Sequence, residues 1–293
     1  MRMRHRFKRA CVNFIRELAG NPPYPNPKEV IRYVTKAPDP TLVFDNQLLA
    51  GKNVLITGAG QNIGRATAHE MAQQGANIYF LDLNPDHCAC LEQALAAYPV
   101  TSQGFCLDIT NQPAVDILLE TLTARKITID ILVNNVGIQY TTAKGLQNLN
   151  LAEWRATFET NVFGPMYLTQ LIAQTMSSRQ IGGNIIFITS IHQRVIFQYP
   201  SYSASKAALG MIIKELAVDL APQHIRVNGI APGWVIEDTE GQPLAFKSAP
   251  LYQTTINPAY IGRAAVYLAA DYFSRFTTGA VITIDGGLSI PRL

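Results

Sequence analysis

The stretch Thr57-Gly58-Ala59-Gly60-Gln61-Asn62-Ile63-Gly64 decides the fold, because it joins a β-branched apolar run to an amphipathic one. The run Asn53–Thr57 predicts a strand, and residues 63–74 predict a helix. Glycines between a strand and a helix let the backbone turn tightly and approach a pyrophosphate at the positive end of the helix dipole. The stretch therefore favours a dinucleotide-binding turn, although an ordinary tight loop is the alternative for such a turn taken alone.

Strand-like and helix-like segments alternate outward from this turn. Further strands are predicted at 77–81, 104–107, 129–133, 184–189, 225–230 and 280–284, and further helices at 86–97, 114–125, 152–176, 203–220 and 258–270. Such alternation favours a parallel sheet with helices on both faces. The predicted fold class is α/β, a doubly wound parallel sheet of the Rossmann type, formed by residues 51–293 as a single domain with an N-terminal helical extension.

Composition excludes several classes of protein. Of the 293 residues, 48% are hydrophobic and 15% are charged, which fits buried strands and helices and excludes disorder throughout the chain. No apolar run approaches the roughly 18 residues of a membrane span. The four cysteines lack C-x-x-C spacing and are too few for a disulfide framework, so we expect no metal site and a reducing, cytoplasmic compartment.

The net charge of +3 is unevenly distributed along the chain. Residues 1–50 contain nine Lys/Arg and four Asp/Glu, whereas residues 51–293 contain fifteen and seventeen. The basic character therefore belongs to an N-terminal appendage. Nucleic-acid-binding proteins usually carry positive charge on the body of the fold, so we expect no nucleic acid partner.

Residues 1–19 predict a basic amphipathic helix. Its apolar stripe at helical spacing consists of Phe7, Cys11, Phe14, Ile15 and Leu18. Residues 21–50 follow as a proline-rich arm. Three roles stay open for the helix: packing on the protein's own body or a sister subunit, peripheral contact with an anionic membrane surface, or a cleaved targeting segment.

An acid ends the second predicted strand at Asp82, eighteen residues after Gly64. A carboxylate there accepts hydrogen bonds from the adenosine ribose hydroxyls and repels the 2′-phosphate of NADP. No Arg or Lys lies between Gly58 and Asn62, or in the four residues after Asp82, to attract an extra phosphate. The sequence therefore favours NAD over NADP, with a plain turn aspartate as the alternative for Asp82.

A phenol and an ammonium lie one helical turn apart in Tyr202-Ser203-Ala204-Ser205-Lys206. A tyrosine with an ordinary pKa of about 10 is a poor base at neutral pH, but an adjacent lysine cation and an oxidised nicotinamide would favour its phenolate. The pair therefore suits proton transfer beside a nicotinamide. An exposed Tyr and Lys packed along a helix is the common alternative for this spacing alone.

The glycine-rich turn, the acid at the end of the second strand and the Tyr–Lys pair occur in an order that resembles the short-chain dehydrogenase/reductase family in its single-domain, cofactor-binding form. The resemblance covers about residues 50–288, over four fifths of the chain. It rests on the turn 57–64, Asp82, Asp108-Ile109, residues 134–137, Asn161, Ser190, Tyr202 with Lys206, Pro232-Gly233 and the ending 278–287.

Four residues of this chain resemble the family's catalytic tetrad. Tyr202 resembles the general base that takes the hydroxyl proton while hydride leaves the carbinol carbon for nicotinamide, or the acid in the reverse direction. Ser190 would hold the substrate oxygen, and Lys206 would hydrogen-bond the nicotinamide ribose and lower the pKa of Tyr202. Asn161 looks like the helix residue that supports a water-mediated proton relay. The resemblance implies an enzyme acting on CH–OH groups.

The family's cofactor contacts also carry over onto this chain. At the adenosine end, the pyrophosphate turn would be Gly58, Gln61, Asn62, Ile63 and Gly64, the ribose carboxylate Asp82, and the adenine contacts Asp108 and Ile109. At the nicotinamide end, the floor beneath the cofactor would be Asn135 and Gly137, the ribose contacts Tyr202 and Lys206, and the loop against the carboxamide Pro232, Gly233 and Val235. The implied cofactor is NAD, with NADP less favoured.

Three departures from the family's pattern lie within these motifs. Asn62 stands where a second glycine is usual, but asparagine tolerates the left-handed conformation, so we expect cofactor binding to survive. The interval from Ser190 to Tyr202 is twelve residues where thirteen is usual, so either the loop is one residue shorter or Thr189 replaces the serine. Strand alternation favours Ser190. The family's threonine after Pro-Gly is displaced, with Thr239 the nearest candidate.

The sequence does not name the substrate. Residues 236–257 resemble the family's variable lid, and Ser190-Ile191-His192 is similar to a stretch in bacterial glucose dehydrogenases of the family, so His192 contacts a polyol or is simply solvated. We predict an NAD-dependent oxidoreductase for a secondary alcohol or ketone of sugar, polyol, steroid or hydroxyacyl type. The alternatives are an NADPH-dependent 3-oxoacyl thioester reductase and a non-catalytic NAD-binding sensor or scaffold docked through the N-terminal helix. The family implies a homotetramer or homodimer packed through helices near 152–176 and 203–220.

Overall fold

The computed structural model describes residues 47–140, 147, 149–236, 244–246, 251 and 253–290. Outside the described residues lie the predicted helix of residues 1–19, all of the predicted arm except residues 47–50, the displaced Thr239 and most of the predicted lid. The predictions made for those segments stay predictions.

A parallel sheet forms the centre of the described fold. Its seven strands lie in the order β3-β2-β1-β4-β5-β6-β7, and every neighbouring pair is parallel. The strands are β1 Asn53–Thr57, β2 Asn77–Asp82, β3 Ser102–Cys106, β4 Ile131–Asn134, β5 Gly183–Ile188, β6 Ile225–Pro232 and β7 Val281–Ile284. The predicted doubly wound α/β fold is therefore confirmed.

Helices connect the strands. They are α1 Asn62–Gln73, α2 Pro85–Leu95, α3 Gln112–Ala124, α4 Leu151–Phe158, α5 Gly164–Arg179, α6 Pro200–Asp219, α7 Pro258–Ala269 and the short α8 Asp271–Ser274. Asparagine side chains cap the first turns of four of them by accepting a backbone N–H, which sets where these helices begin. The four caps are Asn84, Asn111, Asn150 and Asn257.

Alternate residues of the strands pack against helices on opposite faces of the sheet, as expected for a sheet buried on both sides. Val54 and Ile56 of β1 belong to a core cluster that contains residues of α1, α2 and α7. Leu55, between them, belongs to a second cluster, with residues of α3, α5 and α6. The apolar composition is therefore accounted for by two layers of helices around one sheet.

The predicted single helix at 152–176 is wrong in one respect. A π-helical turn, Glu159–Phe163, separates α4 from α5. Pro165 has no N–H to bond the carbonyl of Asn161, so the α-helical hydrogen-bond register cannot continue through this point. Helical periodicity in the sequence does not report such a change of register.

The strand order changes direction at β1, because β2 lies on one side of it and β4 on the other. The connections leaving the carboxyl ends of β1 and β4 diverge at this point and leave a crevice between them. Crevices at such switch points are where open α/β sheets bind ligands.

Candidate active site

A cavity of about 1000 Å³ lies at the carboxyl ends of the strands. Fifteen of the sequence-predicted site residues line it: Gly58, Gln61, Asn62, Ile63, Asp82, Asp108, Ile109, Asn135, Gly137, Ser190, Tyr202, Lys206, Pro232, Gly233 and Val235. Gly64 and Asn161 do not line the cavity. One continuous cavity therefore joins the glycine-rich turn to the Tyr–Lys pair.

The glycine-rich turn adopts conformations that few other residues tolerate. Gly58 has φ +62°, and Asn62 has φ +46°, so asparagine occupies the left-handed region where the family usually has glycine. A Cβ on Gly60 would lie 2.6 Å from Asp82 Oδ2, and one on Gly64 would overlap the carbonyl oxygen of Gly58. The turn is therefore compact because its glycines leave no room for side chains.

The first turn of α1 differs from those of the asparagine-capped helices. Its N-cap residue, Gln61, makes no side-chain hydrogen bond to the turn, and Gln61, Asn62 and Ile63 all line the cavity. An uncapped helix N-terminus offers backbone N–H groups and the positive end of the dipole to an anion. This cradle suits a pyrophosphate, so the residues present fit a dinucleotide.

Asp82 connects the second strand to the glycine-rich turn. Its Oδ2 accepts a hydrogen bond from Gly60 N at 2.8 Å, and its Oδ1 accepts from Asn84 N at 3.0 Å. His87 Nδ1 lies 3.4 Å from the same Oδ1. The carboxylate is thus fixed at the cavity wall, and the sequence did not identify His87 as its neighbour.

Asn135 holds together the ends of the two central strands. Its Nδ2 donates to the carbonyl oxygens of Thr57 and Gly58 at 3.0 and 2.8 Å. The Thr57 hydroxyl in turn accepts the backbone N–H groups of Asn135 and Val136 at 3.0 and 3.1 Å. These bonds brace the glycine-rich turn against β4 where the crevice opens, so Asn135 organises the cavity as well as lining it.

Tyr202 and Lys206 lie on one face of α6, with Ser190 just beyond β5. The Lys206 Nζ donates to the Ile188 carbonyl at 2.9 Å and lies 5.6 Å from the centroid of the Tyr202 ring. Thr189 and Ser190 both line the cavity, but the Thr189 hydroxyl donates to the Ile230 carbonyl at 3.0 Å, whereas the Ser190 side chain hydrogen-bonds Tyr202. Of the two hydroxyls that the sequence left open, Ser190 is the one beside the phenol.

The ionisation of Tyr202 and Lys206 is controlled mainly by burial. Burial raises the pKa of the Tyr202 phenol, and the hydrogen bond with Ser190 acts in the opposite direction. Lys206 is 3% exposed, and burial lowers its pKa to about 8. Within the protein itself, the pKa of Tyr202 is therefore raised, because the loss of water outweighs the hydrogen bond with Ser190. The lowering of this pKa by Lys206 together with an oxidised nicotinamide stays a prediction.

Asn161 lies behind the cavity in the π-helical turn and is completely buried. Its Oδ1 accepts from Ile138 N at 2.8 Å, while its Nδ2 donates to the Ile138 carbonyl at 3.0 Å and to Ser205 Oγ at 3.1 Å. The side-chain amide thus pairs with the backbone of the segment after β4. This contact joins that segment to α6 at the level of Tyr202.

The other predicted residues divide between the two ends of the cavity. Asp108 Oδ1 accepts from the backbone N–H and the hydroxyl of Thr110, both at 2.8 Å, and Ile109 is buried against the second core cluster. Pro232 ends β6, and Gly233 follows where a Cβ would lie 2.7 Å from the Cα of Asp285. Sequence reasoning did not identify three aromatic residues that line the cavity, Phe197, Tyr199 and Trp234. The run of aromatic residues after Ile196, which contains Phe197 and Tyr199, was the signal that could have indicated two of them.

The pKa of Lys206 predicts how stability depends on pH. Between pH 8 and its ordinary value of 10.5, lysine binds a proton in the unfolded chain but not in the folded one, so stability rises with pH across this range. Below pH 8, both states are protonated and the folded protein bears the full cost of the buried cation. Relative to Lys206→Met, we expect the free energy of unfolding to gain about 2 kcal/mol between pH 7.5 and pH 10.

Urea denaturation of both proteins at the two pH values measures this difference, and titration of other groups cancels in the comparison. Equal changes in the two proteins would show that Lys206 keeps an ordinary pKa.

Comparisons with known proteins agree with this geometry. A family model described as enoyl-(acyl carrier protein) reductase matches residues 58–289. The chain is 32% identical over 252 residues to the 7alpha-hydroxysteroid dehydrogenase of Escherichia coli K12, covering 83% of this chain and 96% of that protein. The chain belongs to the short-chain dehydrogenase/reductase family.

Solved structures of short-chain dehydrogenases/reductases resemble the described fold. A 7alpha-hydroxysteroid dehydrogenase complexed with NADH and 7-oxo glycochenodeoxycholic acid has a TM-score of 0.73 at 30% identity, covering 84% of this chain and 98% of the other. A gluconate 5-dehydrogenase from Burkholderia cenocepacia in complex with NADP and tartrate has a TM-score of 0.74 at 29% identity, covering 84% and 99%.

As a short-chain dehydrogenase/reductase, the chain is an oxidoreductase with a nicotinamide cofactor and a small-molecule substrate. In the described part of the chain, none of the helices has the length and apolar character needed to cross a membrane. The same residues contain no cluster of three or more His, Cys, Asp or Glu side chains arranged to hold a metal ion.

Proposed function

We propose that the protein transfers a hydride between NAD and a secondary alcohol or ketone, with Tyr202, Lys206, Ser190 and Asn161 as its catalytic residues. The observation that carries this proposal is the meeting of Ser190, Tyr202 and Lys206 in one cavity whose other end holds the uncapped α1 and Asp82. The glycine-rich turn holds the pyrophosphate, and Asp82 holds the adenosine ribose. The bound nicotinamide supplies hydride acceptance or donation.

Tyr202 moves the proton of the substrate oxygen. The raised pKa keeps its phenol protonated at neutral pH, which is the form that donates a proton during carbonyl reduction. In the direction of alcohol oxidation, the phenolate takes the hydroxyl proton. Ser190, which hydrogen-bonds Tyr202, orients the same substrate oxygen.

Lys206 and Asn161 support this proton transfer. The Lys206 ammonium is anchored on the Ile188 carbonyl below the ring of Tyr202, so its charge stabilises the phenolate when that form is needed. Asn161 fixes the backbone of Ile138 beside α6, which positions a carbonyl for a proton path between the buried lysine and water.

The preference for NAD is proposed from the charge at the adenosine end of the cavity. Asp82 is a fixed carboxylate, and the described lining residues include one Lys or Arg, Lys206, which α6 places beside Tyr202. A 2′-phosphate near Asp82 would therefore meet a like charge, with no Lys or Arg of the described lining beside it. The similar solved structures contain NADH in one case and NADP in the other, so the choice depends on the residues of this chain.

Replacing Asp82 by asparagine is expected to raise kcat/KM with NADPH relative to NADH by about tenfold, the effect of removing roughly 1.4 kcal/mol of repulsion. Asparagine keeps one oxygen that can accept from the N–H of Gly60 and hold the turn, while the N–H of Asn84 loses its acceptor. Steady-state kinetics with both cofactors measures the ratio, and Asp86→Asn, an exposed acid in the first turn of α2, is the matched control. A wild-type preference for NADPH would contradict the proposal.

An NADPH-dependent reductase of 3-oxoacyl thioesters is the second candidate. It is favoured by the similarity of the chain, 32% identical over 250 residues, to the 3-oxoacyl-[acyl-carrier-protein] reductase of Thermotoga maritima. Turnover of a 3-oxoacyl thioester with NADPH, faster than of any simple ketone with NADH, would place this candidate first.

We also propose a homodimer or homotetramer that packs through α5 and α6. Large apolar side chains on α6 are exposed in the single chain, with Met211 56% and Val218 78% accessible. Contact of residues 1–19 with a membrane surface and a cytoplasmic location stay proposals from the sequence.

A further inference from the structure

We propose that the substrate end of the cavity selects a ketone or secondary alcohol with an apolar ring beside the reacting carbon, in preference to a sugar or polyol. The inference rests on the proposed function, because Tyr202 marks where the reacting carbon lies. It is carried by aromatic side chains that the loop between β5 and α6 places against Tyr202.

The first part of this wall is a pair of stacked rings. His192 stacks on Phe197 with centroids 4.3 Å apart and planes inclined by 25°, and it meets Tyr202 edge-on with centroids 4.9 Å apart and planes inclined by 85°. The loop reaches this arrangement through a 3₁₀ turn, Ile191–Gln193, and a left-handed residue, Gln198, at φ +62°. This reversal of the chain packs Phe197 against His192, and both residues line the cavity.

His192 contributes mainly as a fixed ring. Its Nδ1 lies 3.2 Å from Ser203 Oγ, and its backbone N–H donates to Ser190 Oγ at 3.2 Å. Burial, with the charge of Lys206, lowers its pKa to about 4, so the imidazole is neutral at pH 7. A neutral ring with one nitrogen engaged and one face covered by Phe197 offers a polyol little hydrogen bonding.

A second aromatic group lines the cavity after β6. Trp234 is 46% exposed and packs on Phe246 with centroids 4.7 Å apart. Its backbone carbonyl accepts from Ile256 N at 2.8 Å, which fixes this segment. The described lining also includes the apolar side chains of Ile138, Ile191, Ile236 and Leu288, while Gln139 and Tyr199 add one amide and one hydroxyl.

The carboxylates of the described lining belong to the opposite half of the sheet. They are Asp82, the last residue of β2, and Asp108, which follows β3, and both already accept backbone N–H groups. The Lys206 ammonium is directed at the Ile188 carbonyl. A polyol carries a hydroxyl on each carbon, and hydroxyls that lose water without gaining partners disfavour binding. An apolar ring instead gains from the contact area of the aromatic wall.

The inference is tested with the full chain, NAD(H) and three probes: the bicyclic alcohol 1-tetralol, the acyclic alcohol 2-butanol and the polyol sorbitol. We expect kcat/KM for 1-tetralol to exceed that for sorbitol by about 100-fold, and Phe197→Ala to lower the ratio of 1-tetralol to 2-butanol by about tenfold. Phe197→Leu, which keeps apolar area, should lose less. Phe276→Ala, at a side chain 98% exposed and outside the cavity lining, is the matched control.

Binding is measured separately so that the outcome does not depend on turnover. Isothermal titration of the NADH complex of Tyr202→Phe with 1-tetralone and with the ketose L-sorbose compares the ring ketone with a polyhydroxylated one. Preference for the ring ketone, reduced by Phe197→Ala, supports the inference even if the catalytic roles are wrong. Turnover or binding that favours sorbitol or sorbose, or a ratio unchanged by Phe197→Ala, would overturn the inference and leave hydride transfer intact. Turnover unaffected by Tyr202→Phe would instead overturn the proposed function.

Discussion

Tyr202→Phe is expected to lower kcat by about 10³-fold, within the range that a positioned proton donor or acceptor contributes. The substitution removes only the phenolic oxygen, and the ring keeps its edge-on contact with His192 and its position above Lys206. We therefore expect the Kd for NADH to change by less than about threefold, which is well under 1.4 kcal/mol. Stopped-flow measurement of hydride transfer and fluorescence titration with NADH separate the two quantities.

Tyr260→Phe removes the same oxygen atom from an exposed tyrosine at the start of α7 and is the matched control. Its kcat should equal that of the wild type. Retention of more than about a tenth of the activity by Tyr202→Phe would exclude the phenol as the proton carrier, since such a carrier contributes at least about 10²-fold.

Gly64→Ala is expected to have the largest effect on the cofactor-binding half of the site. The new Cβ would overlap the Gly58 carbonyl oxygen and lie 2.7 Å from Asn135 Nδ2, the atom that braces the turn. Because both neighbours belong to the braced ends of β1 and β4, they cannot move independently. We expect the free energy of unfolding to fall by about 3 kcal/mol or more and NADH binding to weaken by about 100-fold or more.

Chemical denaturation and NADH titration measure these two losses. Gly210→Ala in the middle of α6 is the matched control, because its Cβ would meet only the end of the Gln193 side chain, at 2.7 Å. A flexible side chain can move, and alanine favours a helix, so this variant should stay within about 1 kcal/mol of the wild type. Normal NADH affinity in Gly64→Ala would refute the cradle assigned to the turn.

The sheet and its helices were predictable because their pattern is local. Each predicted strand appears in the sheet, although β3 is Ser102–Cys106 and was predicted at 104–107, and the predicted dinucleotide-binding turn lines the cavity. The Tyr202–Lys206 pair was found from its spacing on one helix face. Asn62 was identified as a left-handed position because asparagine tolerates that conformation, and its φ of +46° agrees.

Features that depend on chain reversals or on distant contacts were not predictable. The stacking of His192 on Phe197 requires the left-handed conformation of Gln198. Glutamine is not a residue type that indicates a positive φ, so the sequence did not predict this conformation. The bond from Asp82 to Gly60 N spans 22 residues and depends on how β2 meets the turn. The raised pKa of Tyr202 arises from burial by several elements at once, which a sequence pattern cannot sum.

The π-helical turn Glu159–Phe163 makes the helical segment less regular and at the same time positions Asn161. Each residue in an α-helix advances the side chains by about 100°, so the wide turn shifts the phase of everything that follows it. Deleting one residue there would change that phase by about 100°, and Asn161 would rotate away from the backbone of Ile138. The least regular turn of this segment is thus the one whose geometry the site requires.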